Sequence, residues 1–335
     1  MRVAEIQNDK IVVVEREDIS LDGRDGAIVR VIGCGLCGSD IVKLREHISK
    51  EGTVLGHEIV AQIVEINSKT EFKKGDKIVA SHHIPCFECV YCKGKSYSMC
   101  KHFKETNIFP GGFSEYVYLS EEHLLNVTHL KPTNLTEEEA AFYEPLGCCV
   151  RAVKRADLIP QSSVLVIGLG TIGLLMGQAL KAFGMDVYGC DIRQDRIDMA
   201  NNLGIKAFNS SDKSKAHEYI YSHTDETGVE CVFMTSGADP AIGVALETVR
   251  LGGKILVFSS TPKNFGYANN EIYYKELTVL GSYSPHPADL EISLKLLTDK
   301  KVKVDNLSTD YPLDKIQEAF DDTVSNKIMK AYIRI

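Results

Sequence analysis

The run Val164–Ile167 leads directly into Gly168-x-Gly170-x-x-Gly173, and an acidic residue, Asp191, closes the next β-rich run 18 residues after Gly173. This arrangement leaves little freedom in the fold. A buried strand must turn sharply into a helix, and the glycines let the backbone approach an anion at that helix's N-terminus, where unpaired N–H groups and the dipole favour negative charge. A carboxylate ending the second strand suits ribose hydroxyls and repels a 2′-phosphate, which points to NAD rather than NADP. Arg193 follows closely and softens that preference. Gly168, Gly170, Thr171, Ile172, Gly173, Asp191 and Arg196 are therefore the candidate cofactor-binding residues.

The flanking rhythm agrees with that reading. From about residue 160 the pattern predicts strands at Val164–Gly168, Asp186–Asp191, Val229–Thr235, Lys254–Ser259 and Thr278–Tyr283. Helices are predicted at Thr171–Phe183, Arg196–Leu203, Ala241–Arg250 and Ala288–Thr298. Strands alternating with helices at this spacing make a doubly wound parallel sheet, here assigned to residues 146–289. Residues 1–145 are instead β-rich, with short Val/Ile runs (Ala27–Ile32, Ile59–Ile66, Lys77–Ala80, Ser114–Leu119) between Gly, Asp and Lys turns. The tail regains β character at Lys330–Ile335, so 290–335 is expected to return to the first domain. A chain of 335 residues exceeds what one core usually organises, and two domains follow.

The cysteines carry the second constraint. Cys86-x2-Cys89-x2-Cys92-x7-Cys100 places four of the ten cysteines within 15 residues. Four thiolates at that spacing can surround one Zn²⁺ tetrahedrally, and a closed all-sulfur site is structural; an iron–sulfur cluster uses the same ligand type. A third set is dispersed: Gly35-Leu36-Cys37-Gly38-Ser39-Asp40, Gly56-His57-Glu58 and Glu144-Pro145-Leu146. Cysteine, histidine and carboxylate are the ligands of an open, catalytic zinc. Each residue singly also has a plainer reading, as a small core thiol, a hydrogen-bonded core histidine or a helix N-terminal acid. Cys34-x2-Cys37 is a competing metal pair.

Together these features resemble the zinc-containing medium-chain alcohol dehydrogenases, and more closely their sorbitol (polyol) dehydrogenase-like branch. The resemblance spans essentially the whole chain. It implies a GroES-like catalytic domain joined to a Rossmann domain, and two Zn²⁺ per chain. The structural ion falls on Cys86, Cys89, Cys92 and Cys100. The catalytic ion falls on Cys37 rather than Cys34, on His57 and on Glu144, with Glu58 beside it as a carboxylate able to exchange onto the metal. Ser39 matches the hydroxyl that passes the substrate proton toward solvent. Lys43, Phe109 and Tyr283 fall on substrate-pocket positions. The family usually has glycine three residues after that glutamate; here Ala61 stands there, which implies a change in local packing. The implied reaction is hydride transfer between a secondary alcohol and NAD to give a ketone. Lys43 makes the pocket polar, favouring a polyol, cyclitol or sugar acid. An L-threonine-type amino-alcohol dehydrogenase and a non-catalytic relative are the alternatives. His47, His82, His83 and His286 read as loop histidines.

Composition removes other classes. A net charge of −8 with interspersed signs offers no basic stripe for nucleic acid. No stretch reaches the roughly 18 apolar residues that span a bilayer, and the N-terminus has no signal-peptide pattern. The expectation is a cytoplasmic homodimer or homotetramer acting on a small molecule, with no membrane or nucleic-acid partner.

Overall fold

The computed structural model describes residues 1–259 and 269–335, which divide into two compact units. One comprises Met1–Pro145, His286–Thr298 and Val304–Ile335; the other comprises Leu146–Pro285 and Asp299–Lys303.

The first unit is built on a seven-stranded sheet. Its strands run Thr309–Pro312, Ala331–Arg334, Gly26–Gly35, Glu58–Asn67, Lys77–Ala80 and Thr128–Leu130 in spatial order, with Tyr116–Ser120 also pairing with Gly26–Gly35. All of these pairings are antiparallel except Thr309–Pro312 with Ala331–Arg334. Ala27, Val29 and Val31 alternate into a core with Ile59, Ile63, Ile78, Phe113, Val117, Leu119 and Phe320. Ala61 is wholly buried in mid-strand, opposite Val31 and Ile78, so its methyl group is a sheet-packing feature. The N-terminal strands Arg2–Gln7 and Lys10–Glu15 form a separate hairpin. Its two-residue turn, Asn8-Asp9, has positive φ at both positions, as the twist of a tight hairpin requires.

In this unit the strand register places the chemistry. Gly35 pairs with Glu58 across one edge and with Tyr332 across the other. Three sequence-distant segments therefore end side by side: the turn at Cys37, the His57-Glu58 strand start, and the Lys330 approach to the last strand.

The second unit carries six strands, all parallel, in the order Lys206–Asn209, Asp186–Asp191, Ser163–Ile167, Val229–Met234, Val249–Val257 and Thr278–Gly281. By sequence that order is 3-2-1-4-5-6, the doubly wound dinucleotide-binding topology. The inner strands are almost continuously buried, as expected when helices cover both faces of a parallel sheet.

Several predicted bounds move, and two of the shifts have a clear local cause. The helix expected at Ala241–Arg250 spans Asp239–Thr248, because β-branched Val249 pairs with Val229 and starts the next strand. The strand expected to reach Tyr283 stops at Gly281. Ser284 then adopts a positive φ, which takes the chain out of the extended form and leaves Tyr283 outside the sheet. Among the described residues, no helix is long and apolar enough to cross a membrane.

Candidate active site and metal clusters

Cys37 ends the turn after Gly26–Gly35 and caps the helix Gly38–Arg45. Its Sγ accepts from the Ser39 N–H at 3.5 Å, while its own N–H donates to Asp40 Oδ2 at 3.2 Å. This reciprocal cap holds the thiol in one orientation. Asp40 is fully buried, and its Oδ1 lies 3.5 Å from His57 Nδ1, so the other ring nitrogen of His57 is left for a ligand. A carboxylate behind a histidine is the usual support of a metal-bound imidazole, fixing tautomer and ring plane. Burial works against charge on both groups. The pair outweighs it, holding Asp40 low and, with Cys37 also contributing, His57 well above the ordinary imidazole range.

Ligand atoms of Cys37, His57 and Glu58 lie within 4.8 Å of one another, and so do those of His57, His82 and Glu144. The structure thus gathers all four expected ligands of the second ion, but in two overlapping triads that share His57. Cys37 and Glu144 fall in different triads. Glu144 sits in the first turn of the helix Tyr143–Ala156 and is buried. Ser293 Oγ donates to the Tyr143 carbonyl at 2.7 Å, tying that turn to the helix Pro287–Thr298. The donor set of thiol, imidazole and carboxylate, with Asp40 holding the imidazole from behind, fits Zn²⁺.

Three participants went unassigned in the sequence. Asp40 lay within a quoted motif without a role. Lys330 carried no signal at all: it is buried, forms an ion pair with Glu58 Oε2, and donates to the Leu36 carbonyl at 3.1 Å. Burial lowers its pKa, but Glu58 reverses that and keeps the ammonium charged. His82 does lie in a loop, yet it is only 8% exposed, its ring centroid 4.4 Å from that of His57. Burial pushes it well below the usual imidazole pKa, so it is neutral. The His83 ring packs against it at a tilt, with centroids 3.9 Å apart. His47 is exposed and paired with Asp9, and His286 stacks on Tyr97.

The remaining candidates lie as follows. Ser39 is exposed beside Cys37. Lys43, on the same helix, is half-buried and close enough for its charge to act on Asp40 and His82. Phe109, preceding a cis bond to Pro110, is 54% exposed. Tyr283 belongs to the other unit and is 59% exposed.

The four cysteines form the tightest cluster. Sγ separations are 3.5 Å for Cys86–Cys100, 3.6 Å for Cys89–Cys92 and 4.0 Å for Cys86–Cys92. Sulfurs about 2.3 Å from one tetrahedral ion lie about 3.8 Å apart, so the set fits zinc. Backbone N–H groups of Cys86 and Cys89 also point at cluster sulfurs. The lobe's own core is little more than Cys92, Cys100 and Phe103, too small to hold it together unaided.

In the second unit, Gly168 has φ +92, and a Cβ at Gly173 would lie 1.8 Å from the Gly168 carbonyl oxygen. Both are thus required by the turn itself. A Cβ at Gly170 would meet nothing; that residue caps Thr171–Ala182 with no side-chain bond, leaving the helix end open. Asp191 Oδ2 accepts from the Leu169 N–H at 2.7 Å, and Oδ1 accepts from Ile192 and Arg193 at 2.8 and 3.0 Å. Arg196 is 3.7 Å from Asp191, whereas the Arg193 guanidinium is engaged with Asp195 at 2.6 Å.

Fold and clusters together define a metal-dependent, dinucleotide-linked dehydrogenase. Residues 23–129 match the family described as alcohol dehydrogenase GroES-like domain, and residues 171–299 match zinc-binding dehydrogenase. The chain is 32% identical to a D-arabitol-phosphate dehydrogenase of Enterococcus avium, over 92% of this chain and 90% of that one. It is 31% identical to a sorbitol dehydrogenase of Halalkalibacterium halodurans, over 93% and 92%. The solved structure of galactitol-1-phosphate dehydrogenase from Escherichia coli shares the fold at a TM-score of 0.89, with 23% identity and full coverage of both chains. The protein belongs to the zinc-containing medium-chain alcohol dehydrogenase family, in its sorbitol dehydrogenase-like branch. It is an oxidoreductase acting on the CH–OH group.

Proposed function

We propose that this chain oxidises a secondary alcohol of a polyhydroxylated substrate, a sugar alcohol, cyclitol or sugar acid, to the ketone, with NAD as acceptor and two Zn²⁺ per chain. The observation that carries this reading is the Cys37–His57–Glu58 cluster, half-buried at the thiol and buried at the other two, with Asp40 behind His57. A thiol, an imidazole and carboxylates converging out of water are what a catalytic metal needs, and the relatives named above act on polyols or their phosphates.

Cys37, His57 and Glu144 would hold the catalytic ion, with Glu58 alongside; Cys86, Cys89, Cys92 and Cys100 would hold the structural one. Zinc at the first position supplies positive charge that makes an alcohol hydroxyl easier to deprotonate. Asp40 keeps the His57 ring in one tautomer. Ser39, beside Cys37 and exposed, passes the hydroxyl proton outward. Lys43 offers a charged donor to a neighbouring hydroxyl, phosphate or carboxylate. In the second unit the open helix end at Gly170–Gly173 receives the pyrophosphate and Asp191 the ribose hydroxyls. Because Arg193 is occupied by Asp195, the carboxylate of Asp191 dominates there, which supports NAD over NADP. Edge strand Thr278–Gly281 supports self-association into a homodimer or homotetramer.

The test combines metal counting with a panel of polyols, cyclitols, sugar acids and L-threonine, each with NAD and NADP. Two zincs and NAD-linked turnover of a polyol are expected. One zinc and no turnover would mean a non-catalytic relative. Preference for L-threonine would move the protein to the amino-alcohol class.

A further inference from the structure

The helix Thr171–Ala182 opens at the glycine turn, and a second feature lies at its other end. There a cavity of about 240 Å³ is lined by Gln178, Lys181, Asn202, Leu203, Lys301 and Lys303. All six belong to the second unit. Three of them are lysines and none is acidic, in a chain whose net charge is −8. Among the described residues, no carboxylate pairs with any of the three ammonium groups.

Buried groups hold the wall of this cavity. Gln178 is 4% exposed, and its amide clamps the backbone of Lys303 from both sides. The Lys303 N–H donates to Oε1 at 2.8 Å, and Nε2 donates to the Lys303 carbonyl at 2.9 Å. Val302 is buried between Lys301 and Lys303, which anchors the segment and leaves both lysines to the cavity. Lys181 Nζ donates to the Leu203 and Gly204 carbonyls at 3.0 and 2.7 Å. Glycine is required at Gly204, whose φ is +72 and where a Cβ would fall 2.5 Å from Nζ. Closing the carbonyl end of the helix Gln194–Asn202 accounts for two of the three hydrogens of Lys181. It does not account for Lys301 and Lys303, which the Gln178 clamp brings to the same opening.

A water occupies about 30 Å³, so the cavity has room for about eight, enough for a diphosphate or a phosphomonoester. Lys181 lies about 15 Å along the helix from Thr171, at 1.5 Å per residue. An anion held here is therefore separate from the pyrophosphate site proposed at the glycine turn.

We propose that this cavity binds a small phosphate-bearing anion, a diphosphate or a phosphomonoester, through Lys301, Lys303 and the remaining hydrogen of Lys181. Ammonium groups act on phosphate as compact point charges. The site needs neither the metal cluster nor the alcohol substrate.

The test is calorimetric titration of the full zinc-loaded chain with pyrophosphate, glucose 6-phosphate and inorganic phosphate, each with and without saturating NADH. With NADH bound, pyrophosphate or glucose 6-phosphate should still bind one per chain, and the tighter of the two names the phosphate class. Lys301→Ala/Lys303→Ala should weaken that binding at least ~10-fold, and Lys301→Arg/Lys303→Arg should restore most of it. Both side chains are exposed, so these substitutions leave the core intact. Lys213→Ala/Lys215→Ala, which removes the same charge from another helix of the unit, should leave binding unchanged. Equal weakening in the two alanine pairs would reduce the effect to overall charge and overturn the site. So would unchanged affinity in Lys301→Ala/Lys303→Ala, loss of binding when NADH is present, or no saturable binding of any of the three anions.

Discussion

The ammonium of Lys330 and the carboxylate of Glu58, 272 positions apart in sequence, form a buried ion pair at the meeting point of three strand ends. Glu58 lies over Gly35, where a Cβ would fall 2.0 Å from its Oε2, so the pair also dictates glycine at that position. Removing one partner leaves the other charge buried and uncompensated. Lys330→Met should therefore cost about 3–5 kcal/mol of stability, read by urea denaturation. The double variant Lys330→Met/Glu58→Gln should recover much of that loss. Equal stability of the two variants would show that the lysine contributes packing alone.

Metal content separates the two clusters. Cys37→Ala should lose one zinc and turnover while the fold survives, because the thiol is only half-buried. His57→Ala should lose the same zinc and turnover and also some stability, because it leaves the buried Asp40 carboxylate without its partner. Cys89→Ala should lose the other zinc and unfold its lobe, whose small core leaves the metal as the main source of folding energy. Metal analysis with circular dichroism checks both, and full activity in Cys37→Ala would reject the assignment.

Cofactor preference should follow Asp191. NAD should be used more efficiently than NADP. Asp191→Ser, which removes the carboxylate proposed to bind the ribose and frees Arg196 from it, should narrow or reverse the gap in kcat/KM. A wild type that favours NADP would contradict this.

Substrate polarity should be read most clearly in kcat/KM ratios. Lys43 offers a charged donor beside the metal cluster, and a buried donor left unpaired by a plain alcohol costs about 1–3 kcal/mol. A polyol, cyclitol or sugar acid should therefore outperform 2-butanol by at least ~10-fold. Lys43→Ala should erode turnover of the polyol far more than that of 2-butanol; equal losses would assign the lysine to structure.

Self-association should involve the sheet edge at Thr278–Gly281, where Val279 is 36% exposed on a strand that, among the described residues, pairs on one side only. Light scattering at micromolar concentration should give a dimer or tetramer, and Val279→Lys should shift it toward monomer. A monomeric wild type would reject this surface.

Local chemistry made much of this protein legible in one dimension. The strand–glycine–helix turn closing on Asp191 and the four cysteines each need only neighbours in sequence, since a tight turn and a single tetrahedral ion are satisfied within about twenty residues. Cys37, His57 and Glu144 were recognisable as ligand types for the same reason. How they group was not. Strand register brings Gly35 against both Glu58 and Tyr332, which delivers Lys330 to Glu58, while the pairing of Ile59 with Ala80 brings His82 beside His57. A lysine near the end of the chain and a histidine in a loop carry no mark of burial in their own surroundings. The folded sheet decided their environment, because burial and charge pairing depend on which distant segments share an edge.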